Sequence, residues 1–169
     1  LTDCIGRTWQ CGTVQLDFQM PEKFDLTYID KNDQKQRPVM IHRAIIGSVE
    51  RFMGILIENF EGKLPLWISP VQAIILPIAD RHNEYSKNVQ EIMRSNGLRV
   101  EINTDPQTLD KKIRNAELQK INYIIVVGDK EIQNNTINVR TRDNHIIGEK
   151  QIQEFINELL HEIKTKAIK

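Results

Sequence analysis

Hydrophobic residues between positions 38 and 60 form two patterns in succession, and the break between them falls at Gly47-Ser48. Residues 39–41 are apolar, which predicts a buried strand. After the break, apolar side chains recur at helical spacing and form one stripe: Val49, Phe52, Met53, Leu56, Ile57 and Phe60. We therefore expect an amphipathic helix that begins after Ser48, whose hydroxyl can cap it, and that ends at Gly62.

Residues 7–18 alternate between polar and apolar positions and predict the first strand. One face carries Trp9, Cys11, Thr13, Gln15 and Asp17, and the other carries Val14, Leu16 and Phe18. Such a polar face either meets solvent in an antiparallel sheet or lines a pocket, and the pattern alone does not separate these interpretations. Residues 24–29 predict a short strand, followed by a polar turn to which we assign no chemistry.

From residue 71 onward, apolar runs alternate with amphipathic segments, after a linker that contains Pro65 and Pro70. Predicted strands cover residues 71–79, 98–103, 123–127 and 136–142, and predicted helices cover residues 83–96, 109–120 and 151–166. The order βαβαββα indicates an α/β domain with a mixed sheet covered by helices. We therefore predict two domains, residues 1–64 and residues 65–169.

Composition narrows the class of protein. The 169 residues are 40% hydrophobic and 27% charged, and 23 basic residues balance 23 acidic ones. A chain-wide basic surface for nucleic acid is therefore excluded, and any such surface must be a local patch. The apolar runs are too short and too charged to span a bilayer. Two cysteines do not make a disulfide framework, so we expect a reducing, cytoplasmic environment. The chain starts near a strand without an initiator Met, as we expect of a fragment.

The polar residues His42 and Arg51 lie within the apolar segment 38–60, and the sequence around them resembles a known family. The run HRAIIGSVERF, which starts at His42, resembles motif 3 of class II aminoacyl-tRNA synthetases. The run WQCGTVQLDF, which starts at Trp9, resembles the active-site strand of the threonyl-tRNA synthetases. The resemblance implies the C-terminal part of such an enzyme, beginning with the terminal piece of the class II antiparallel sheet and its motif 3 helix. By position, Arg51 would stack on the adenine of ATP.

The same resemblance assigns residues of the first strand to the active site. Gln10, Thr13 and Gln15 would contact the ATP ribose and the aminoacyl part of the adenylate, and Mg²⁺ would accompany ATP. Gln15 and Arg51 would be the catalytic residues. Strict alternation places Gln10 and Thr13 on opposite strand faces, so we expect a β-bulge at Gly12.

A zinc ion is also implied by the resemblance. His42 matches one of three protein ligands, and the other two, a cysteine and a histidine, would lie upstream of this chain together with motifs 1 and 2. Completion of the zinc site by Cys4 and Cys11 is an alternative that their spacing does not favour, because it is not a recognised ligand pattern. His42 alone cannot hold the metal.

The second half is similar to the anticodon-binding domain of the threonyl, prolyl, histidyl and glycyl synthetases, on the runs VGDKEI and VRTR. By position, Glu131 and Arg140 would read tRNA anticodon bases, because arginine donates to base acceptors and a carboxylate accepts from base N–H groups. Without the resemblance, an ion pair between the two on an exposed hairpin is the alternative.

Local charge is compatible with RNA contacts. Residues 109–142 carry seven Lys and Arg against four acids, which suits contacts to phosphates. Arg114 belongs to this excess and is the third expected anticodon-loop contact. The loop 105–108 lacks the basic, asparagine-containing segment typical of the family, so contacts from this loop are not carried over.

Two functions from different classes follow. The resemblance implies part of an enzyme that activates threonine with ATP and transfers it to tRNA(Thr), acting as a homodimer without a membrane. The isolated segment would bind the anticodon arm but form no adenylate, since motifs 1 and 2 are missing. The alternative is a non-catalytic tRNA-binding accessory module, which would need neither His42 nor Arg51. A flavodoxin-like enzyme is excluded by the lack of a glycine-rich phosphate loop.

Overall fold

The computed structural model describes residues 1–168, and the chain forms two compact units, Leu1–Glu61 (unit 1) and Gly62–Lys169 (unit 2). The division falls after residue 61, whereas the proline-containing linker had led us to divide the chain after residue 64. Each unit is described by itself.

Unit 1 contains two antiparallel strand pairs, of which the longer joins β1 and β4. Its elements are β1 (Thr13–Asp17), α1 (Gln19–Lys23), β2 (Tyr28–Ile29), β3 (Lys35–Gln36), β4 (Met40–Ala44) and α2 (Val49–Asn59). β1 pairs with β4 and β2 pairs with β3. β1 is shorter than the strand predicted over residues 7–18, because only residues 13–17 face a partner strand. The predicted strand over residues 24–29 is limited to β2, and α1 was not predicted.

Helix α2 begins where its cap predicts. The Ser48 hydroxyl accepts a hydrogen bond from the backbone N–H of Arg51 at 3.4 Å, which satisfies one of the free amides of the first turn. The helix ends at Asn59, and the next residues leave it through positive φ angles, +52° at Glu61 and +74° at Gly62. The predicted helix is therefore confirmed, with its end slightly earlier than Gly62.

The strand predicted as buried over residues 39–41 is exposed, which corrects our expectation. Ile41 is 63% exposed, and on the paired strand Leu16 is 61% exposed. No residue of α2 is buried. A two-stranded ribbon with one long helix has too little opposing surface to cover an apolar strand. The apolar side chains of β1, β4 and α2 therefore form surfaces that unit 1 does not bury by itself.

Unit 2 is an α/β domain with a mixed five-stranded sheet, as the fold class predicted. Its elements are β5 (Ala73–Pro77), α3 (Asn83–Ser95), β6 (Val100–Ile102), α4 (Leu109–Leu118), β7 (Tyr123–Val127), α5 (Asp129–Asn134), β8 (Thr136–Thr141), β9 (Ile146–Gln151) and α6 (Ile152–Thr165). The sheet order is β6-β5-β7-β8-β9. β5 is parallel to β6 and β7, whereas β8 is antiparallel to β7 and β9.

Three elements of unit 2 were missed, the shortest being a 3₁₀ helix at Asp80–His82 between β5 and α3. The predicted order βαβαββα lacks α5, which has only six residues, and β9, whose pairing with β8 is interrupted by a register shift at Val139/Arg140. A glycine inside β9, Gly148, weakens its strand pattern. The fold class stands, with a fifth strand and a fourth helix added to the predicted order.

Buried side chains lie on both faces of the unit 2 sheet. On one face, residues of α3 and α6, including Val89, Met93 and Phe155, pack against Ile75 and Ile125. On the other face, α4 contributes Ile113 and Ala116, which pack against Ile74, Leu76 and Ile124. This second face has a single covering helix, so its β8 and β9 side remains accessible. No helix within residues 1–168 is both long and apolar enough to cross a membrane.

The segment before β5 is held by side chains of unit 2. The Leu64 carbonyl accepts from Asn122 Nδ2 at 3.0 Å and from Arg142 at 2.8 Å, and Arg99 Nε donates to the Ser69 carbonyl at 2.8 Å. These bonds satisfy backbone groups that have no partner in regular structure. The segment predicted as a linker is therefore an ordered part of unit 2.

Candidate functional site

The polar face predicted for β1 exists, and β4 adds His42 to it. Gln15 lies directly opposite His42 in the β1–β4 register. Asp17, two residues along the same face, places Oδ2 3.0 Å from His42 Nε2. Asp17 also accepts from the backbone amides of Gln19 and Met20, at 2.9 and 3.0 Å. The Met20 amide and then His42 lower the pKa of Asp17, so an ionised carboxylate faces the imidazole.

His42 has the exposure and the pairing that a single metal ligand requires. Its side chain is 47% exposed, and Asp17 engages Nε2, so Nδ1 has no hydrogen-bond partner in the described part of the chain. Within residues 1–168, however, no three His, Cys, Asp or Glu side chains converge to hold a metal ion. The alternative set of Cys4, Cys11 and His42 is therefore not assembled, and both cysteines are free.

The β-bulge that we expected at Gly12 is not present, because the chain leaves the strand before Thr13. The β1–β4 register is continuous from Thr13 to Asp17. A Cβ at Gly12 would lie 3.3 Å from the Ile45 carbonyl oxygen, so Gly12 packs against that backbone. Gly47 has a φ of +68°, and a Cβ at this position would lie only 3.0 Å from the Cys11 carbonyl oxygen. Gln10 is exposed and lies on this segment rather than on either face of β1.

Arg51 has a partner that the sequence did not indicate. Its guanidinium carbon lies over the Trp9 ring, 5.4 Å from the ring centroid, and that of Arg7 lies over the same ring at the same distance. The side chain of Arg51 is exposed in unit 1. The alternation of residues 7–18 placed Trp9 on the polar face, but not its contact with a helix residue 42 positions later.

Asp3 fixes the indole of Trp9. Its Oδ2 accepts from Trp9 Nε1 at 2.8 Å and from Arg7 Nε at 2.7 Å, and its side chain has no exposed surface. The hydrogen bond from Trp9 and then the contacts with Arg7 lower the pKa of Asp3 to about 2, against an opposing effect of burial. Asp3 was not predicted as a site residue, because an isolated aspartate near a glycine usually marks a turn.

In unit 2, Glu131 lies at the start of α5 rather than on a hairpin. It is 7% exposed, and Oε2 accepts from the backbone N–H of Gly128 at 2.9 Å, which caps the helix. A Cβ at Gly128 would approach the terminal methyl of Ile78 to 2.7 Å, so a larger residue there would require the Ile78 side chain to move. Glu131 thus stands at the carboxyl end of β7 with one oxygen engaged by the backbone.

Arg140 lies on β8 directly opposite Ile124, on the sheet face that α4 covers only in part. It is half-buried, and its Nε atom is buried without a hydrogen-bond partner in the described part of the chain. A buried unpaired donor is rare and costs about 1–3 kcal/mol, so it calls for an explanation. The ion pair with Glu131 on an exposed hairpin is wrong, because Glu131 lies on α5 and caps Gly128.

The other cations predicted near this face differ in accessibility. Arg114 is exposed on α4, with no contact to Glu131 or Arg140 recorded within residues 1–168. Lys112 is buried, and its ammonium donates to the carbonyls of Pro77 and Asn103 at 3.2 and 3.3 Å. The Arg142 side chain is 7% exposed and, as described above, binds the segment before β5. The positive excess counted along the sequence is therefore smaller at the surface.

Comparison with protein families gives a match for each unit. Residues 72–162 match the family model described as anticodon binding domain. Residues 1–60 match the model described as tRNA synthetase class II core domain (G, H, P, S and T).

Individual proteins resemble the chain over nearly its whole length. It is 55% identical over 166 residues to the threonine–tRNA ligase of Finegoldia magna and 54% identical to that of Carboxydothermus hydrogenoformans, covering 98% of this chain. The chain spans 26% of the length of each of these relatives. The crystal structure of the RNA binding domain of threonyl-tRNA synthetase from Cryptosporidium parvum Iowa II is similar, with a TM-score of 0.79, 39% identity, and coverage of 95% of this chain and 41% of that one.

Proposed function

Because the chain belongs to the anticodon-binding domain family and carries a class II synthetase core segment like that of the threonyl-tRNA synthetases, we propose that it is part of a threonine–tRNA ligase. The parent enzyme activates threonine with ATP and transfers it to tRNA(Thr). Unit 2 recognises the anticodon, and unit 1 supplies motif 3 of the active site. The core match over residues 1–60 favours this function over an accessory tRNA-binding module.

The unpaired Nε of Arg140 is the observation that carries the anticodon proposal. An arginine that donates to a base edge satisfies this buried group, and only an unpaired base presents its edges freely to a sheet surface. Glu131 offers its second carboxylate oxygen to a base N–H group, while the first holds the backbone of Gly128. Arg114 would contact a phosphate of the same loop, and its exposure on α4 supports this role.

Unit 1 contributes one wall of an adenylate site. Arg51 stacks on the adenine of ATP, which enters with Mg²⁺, and Gln10, Thr13 and Gln15 contact the ribose and the aminoacyl group. Thr13 and Gln15 share one face of β1, which supports a common ligand for them. Gln10 joins that ligand from the segment before the strand. Activation of this kind depends on positioning and charge stabilisation, so Gln15 and Arg51 act by orienting the adenylate.

A zinc ion fits this half-site through a single residue. His42 would hold the metal through Nδ1, the ring nitrogen that Asp17 does not engage, and the remaining ligands would come from the rest of the parent enzyme. When bound, zinc with an open position coordinates the amino and hydroxyl groups of threonine, which valine cannot match. Asp17 fixes the orientation of the imidazole for this purpose.

Two further properties belong to the parent enzyme. We propose a homodimer, as in the family, and a cytoplasmic location, which the two free cysteines support.

Substitution of Arg140 tests the anticodon proposal. Arg140→Ala should weaken binding of tRNA(Thr) by the 169-residue chain, measured by fluorescence anisotropy, by roughly 1–3 kcal/mol or about 5- to 150-fold. Arg140→Lys keeps the charge but not the planar donor pair, so most of this loss should remain. Lys87→Ala removes an exposed charge from α3, on the opposite sheet face, and should bind like the unmodified chain. Equal affinity of the Arg140→Ala variant would refute the proposed contact.

A second experiment tests the proposal that this segment does not form adenylate without the rest of the parent enzyme. The 169-residue chain should show no threonine-dependent ATP–pyrophosphate exchange, because no basic side chain of motif 2 is present to stabilise the transition state. Measurable exchange above a protein-free control would show that this segment holds a complete active site.

A further inference from the structure

Arg51, the residue proposed to stack on adenine, rests on an aromatic side chain in unit 1. Its guanidinium lies 5.4 Å from the centroid of the Trp9 ring, while the arginine side chain is otherwise exposed. A guanidinium is planar and can stack on an aromatic ring with one face while it offers the other face to a second ring. Because the Arg51 side chain is otherwise exposed, its guanidinium can contact a nucleobase as well as the Trp9 ring.

The indole ring is itself held in place. Trp9 Nε1 donates to Asp3 Oδ2 at 2.8 Å, and Asp3 is locked by further hydrogen bonds from the amide and the side chain of Arg7, at 2.8 and 2.7 Å. The Asp3 side chain has no exposed surface, so these bonds do not compete with water. Few orientations of the ring satisfy this carboxylate.

The backbone of Arg51 is fixed independently, because its amide donates to the Ser48 cap of α2. The Ser48 cap therefore fixes the backbone of Arg51, and the Trp9 ring contacts the guanidinium at the other end of the side chain. We propose that Trp9 is a positioning residue that holds the Arg51 guanidinium for the adenine ring of ATP, and that Asp3 orients Trp9. This inference rests on the proposed role of Arg51 in ATP binding.

The contact with Trp9 would hold the Arg51 guanidinium in its ATP-binding position before ATP binds. An exposed arginine loses rotamer freedom when a ligand immobilises it, and this cost reduces affinity for that ligand. A ring that already holds the guanidinium removes part of the cost before ATP binds. Loss of the ring should therefore raise the KM for ATP, whereas threonine, which would contact other residues, should keep its KM.

The experiment uses ATP–pyrophosphate exchange by the full-length ligase that contains this segment. Trp9→Leu should raise the KM for ATP by about 3- to 30-fold, the range of a single cation–π contact, with the KM for threonine unchanged. Trp9→Phe keeps a ring but loses the Nε1–H that Asp3 holds, so its KM for ATP should lie between those of the unmodified enzyme and Trp9→Leu. Trp67→Leu is the matched control, since Trp67 lies in unit 2 and its ring contacts Lys166 at 5.6 Å. An unchanged KM for ATP in Trp9→Leu, or equal rises for ATP and threonine, would overturn the inference.

A second series keeps the inference testable if Trp9→Leu does not fold. Tryptophans with increasing numbers of ring fluorines, incorporated at position 9 alone, preserve shape but weaken the attraction between ring and cation. The KM for ATP should rise stepwise with fluorination. A flat response would overturn the inference, and a falling KM would do so too, since it would mean that Trp9 competes with adenine for Arg51.

Arg51→Ala separates this inference from the function on which it rests. If Arg51→Ala leaves the KM for ATP unchanged, the proposed role of Arg51 fails and the inference falls with it. If Arg51→Ala raises the KM but the changes at Trp9 do not, only the positioning role of Trp9 is wrong.

Discussion

Glu131 has two carboxylate oxygens, and the fold of unit 2 uses one of them. Oε2 accepts from the Gly128 amide at 2.9 Å in a site where the side chain is 7% exposed. Removing this acceptor leaves a buried N–H unpaired, which costs about 1–3 kcal/mol. Glu131→Ala should therefore lower the free energy of unfolding by that amount, measured by urea denaturation, and should also weaken RNA binding.

Glu131→Gln separates the helix cap from the proposed base contact of this side chain. The amide oxygen can replace Oε2 as the cap, so stability should fall by no more than about 1 kcal/mol. The amide NH₂ then occupies the position of the second carboxylate oxygen and places a donor against a base N–H. Affinity for the anticodon stem-loop of tRNA(Thr) should fall by about tenfold or more, corresponding to roughly 1.4 kcal/mol.

The matched control is Glu84→Gln, the same chemical change at an exposed position on α3. It should leave RNA affinity unchanged and lower the free energy of unfolding by no more than about 0.3–1 kcal/mol, since Glu84 lies in the first turn of α3. Unchanged RNA affinity in Glu131→Gln would refute the base contact and leave Glu131 as a helix cap only. Unchanged stability in Glu131→Ala would refute the energetic role of the cap.

Three further predictions concern stability. Phe155 is 1% exposed in the core between the sheet and α6, so Phe155→Ala should lower the free energy of unfolding by about 3–5 kcal/mol; a loss below 1 kcal/mol in urea denaturation would contradict this packing. Lys112→Ala removes the donor to two carbonyls at the ends of β5 and β6 and should cost about 1–3 kcal/mol, whereas no loss would mean that water replaces the ammonium. The pKa of Asp3 is lowered to about 2, first by the Trp9 indole and then by Arg7, from an unfolded value near 3.9. Its stabilisation is therefore complete above about pH 4 and is lost as pH falls towards 2. Trp9 emission in a Trp67→Phe chain should change over that interval, and a change centred above pH 5 would exclude Asp3 as its cause.

Periodicity located most of unit 2 because its elements are buried by their own neighbours. The five apolar residues of β7 were predicted at Tyr123–Val127, where the strand is found, since a central strand needs apolar side chains on both faces. Helix α5 was missed because six residues are too few for a helical stripe, although Gly128 and Glu131 have the spacing of a cap. Strand β9 was missed because Gly148 and the register shift next to it interrupt the alternating pattern of a strand.

In unit 1 the sequence pattern predicts the strand and the helix but not the exposure of their apolar side chains. The apolar residues of β4 predicted a buried strand, but a single antiparallel pair with α2 does not cover them. The site residues show the same limit. Alternation places Thr13, Gln15 and Asp17 on one face, whereas the pairing of Asp17 with His42 depends on the β1–β4 register. The contact between the Arg51 guanidinium and the Trp9 ring depends on tertiary structure, for which no short sequence pattern exists.

The central claim is that this chain recognises an anticodon. The most direct measurement is the affinity of the 169-residue chain for the isolated anticodon stem-loop of tRNA(Thr), compared with the same stem-loop carrying one replaced anticodon base, at two salt concentrations. We predict that the replacement weakens binding by about tenfold or more at both salt concentrations, because base contacts, unlike phosphate contacts, distinguish the two RNAs. Equal affinity for the two stem-loops, with the same salt dependence, would contradict the account and leave only charge attraction to RNA.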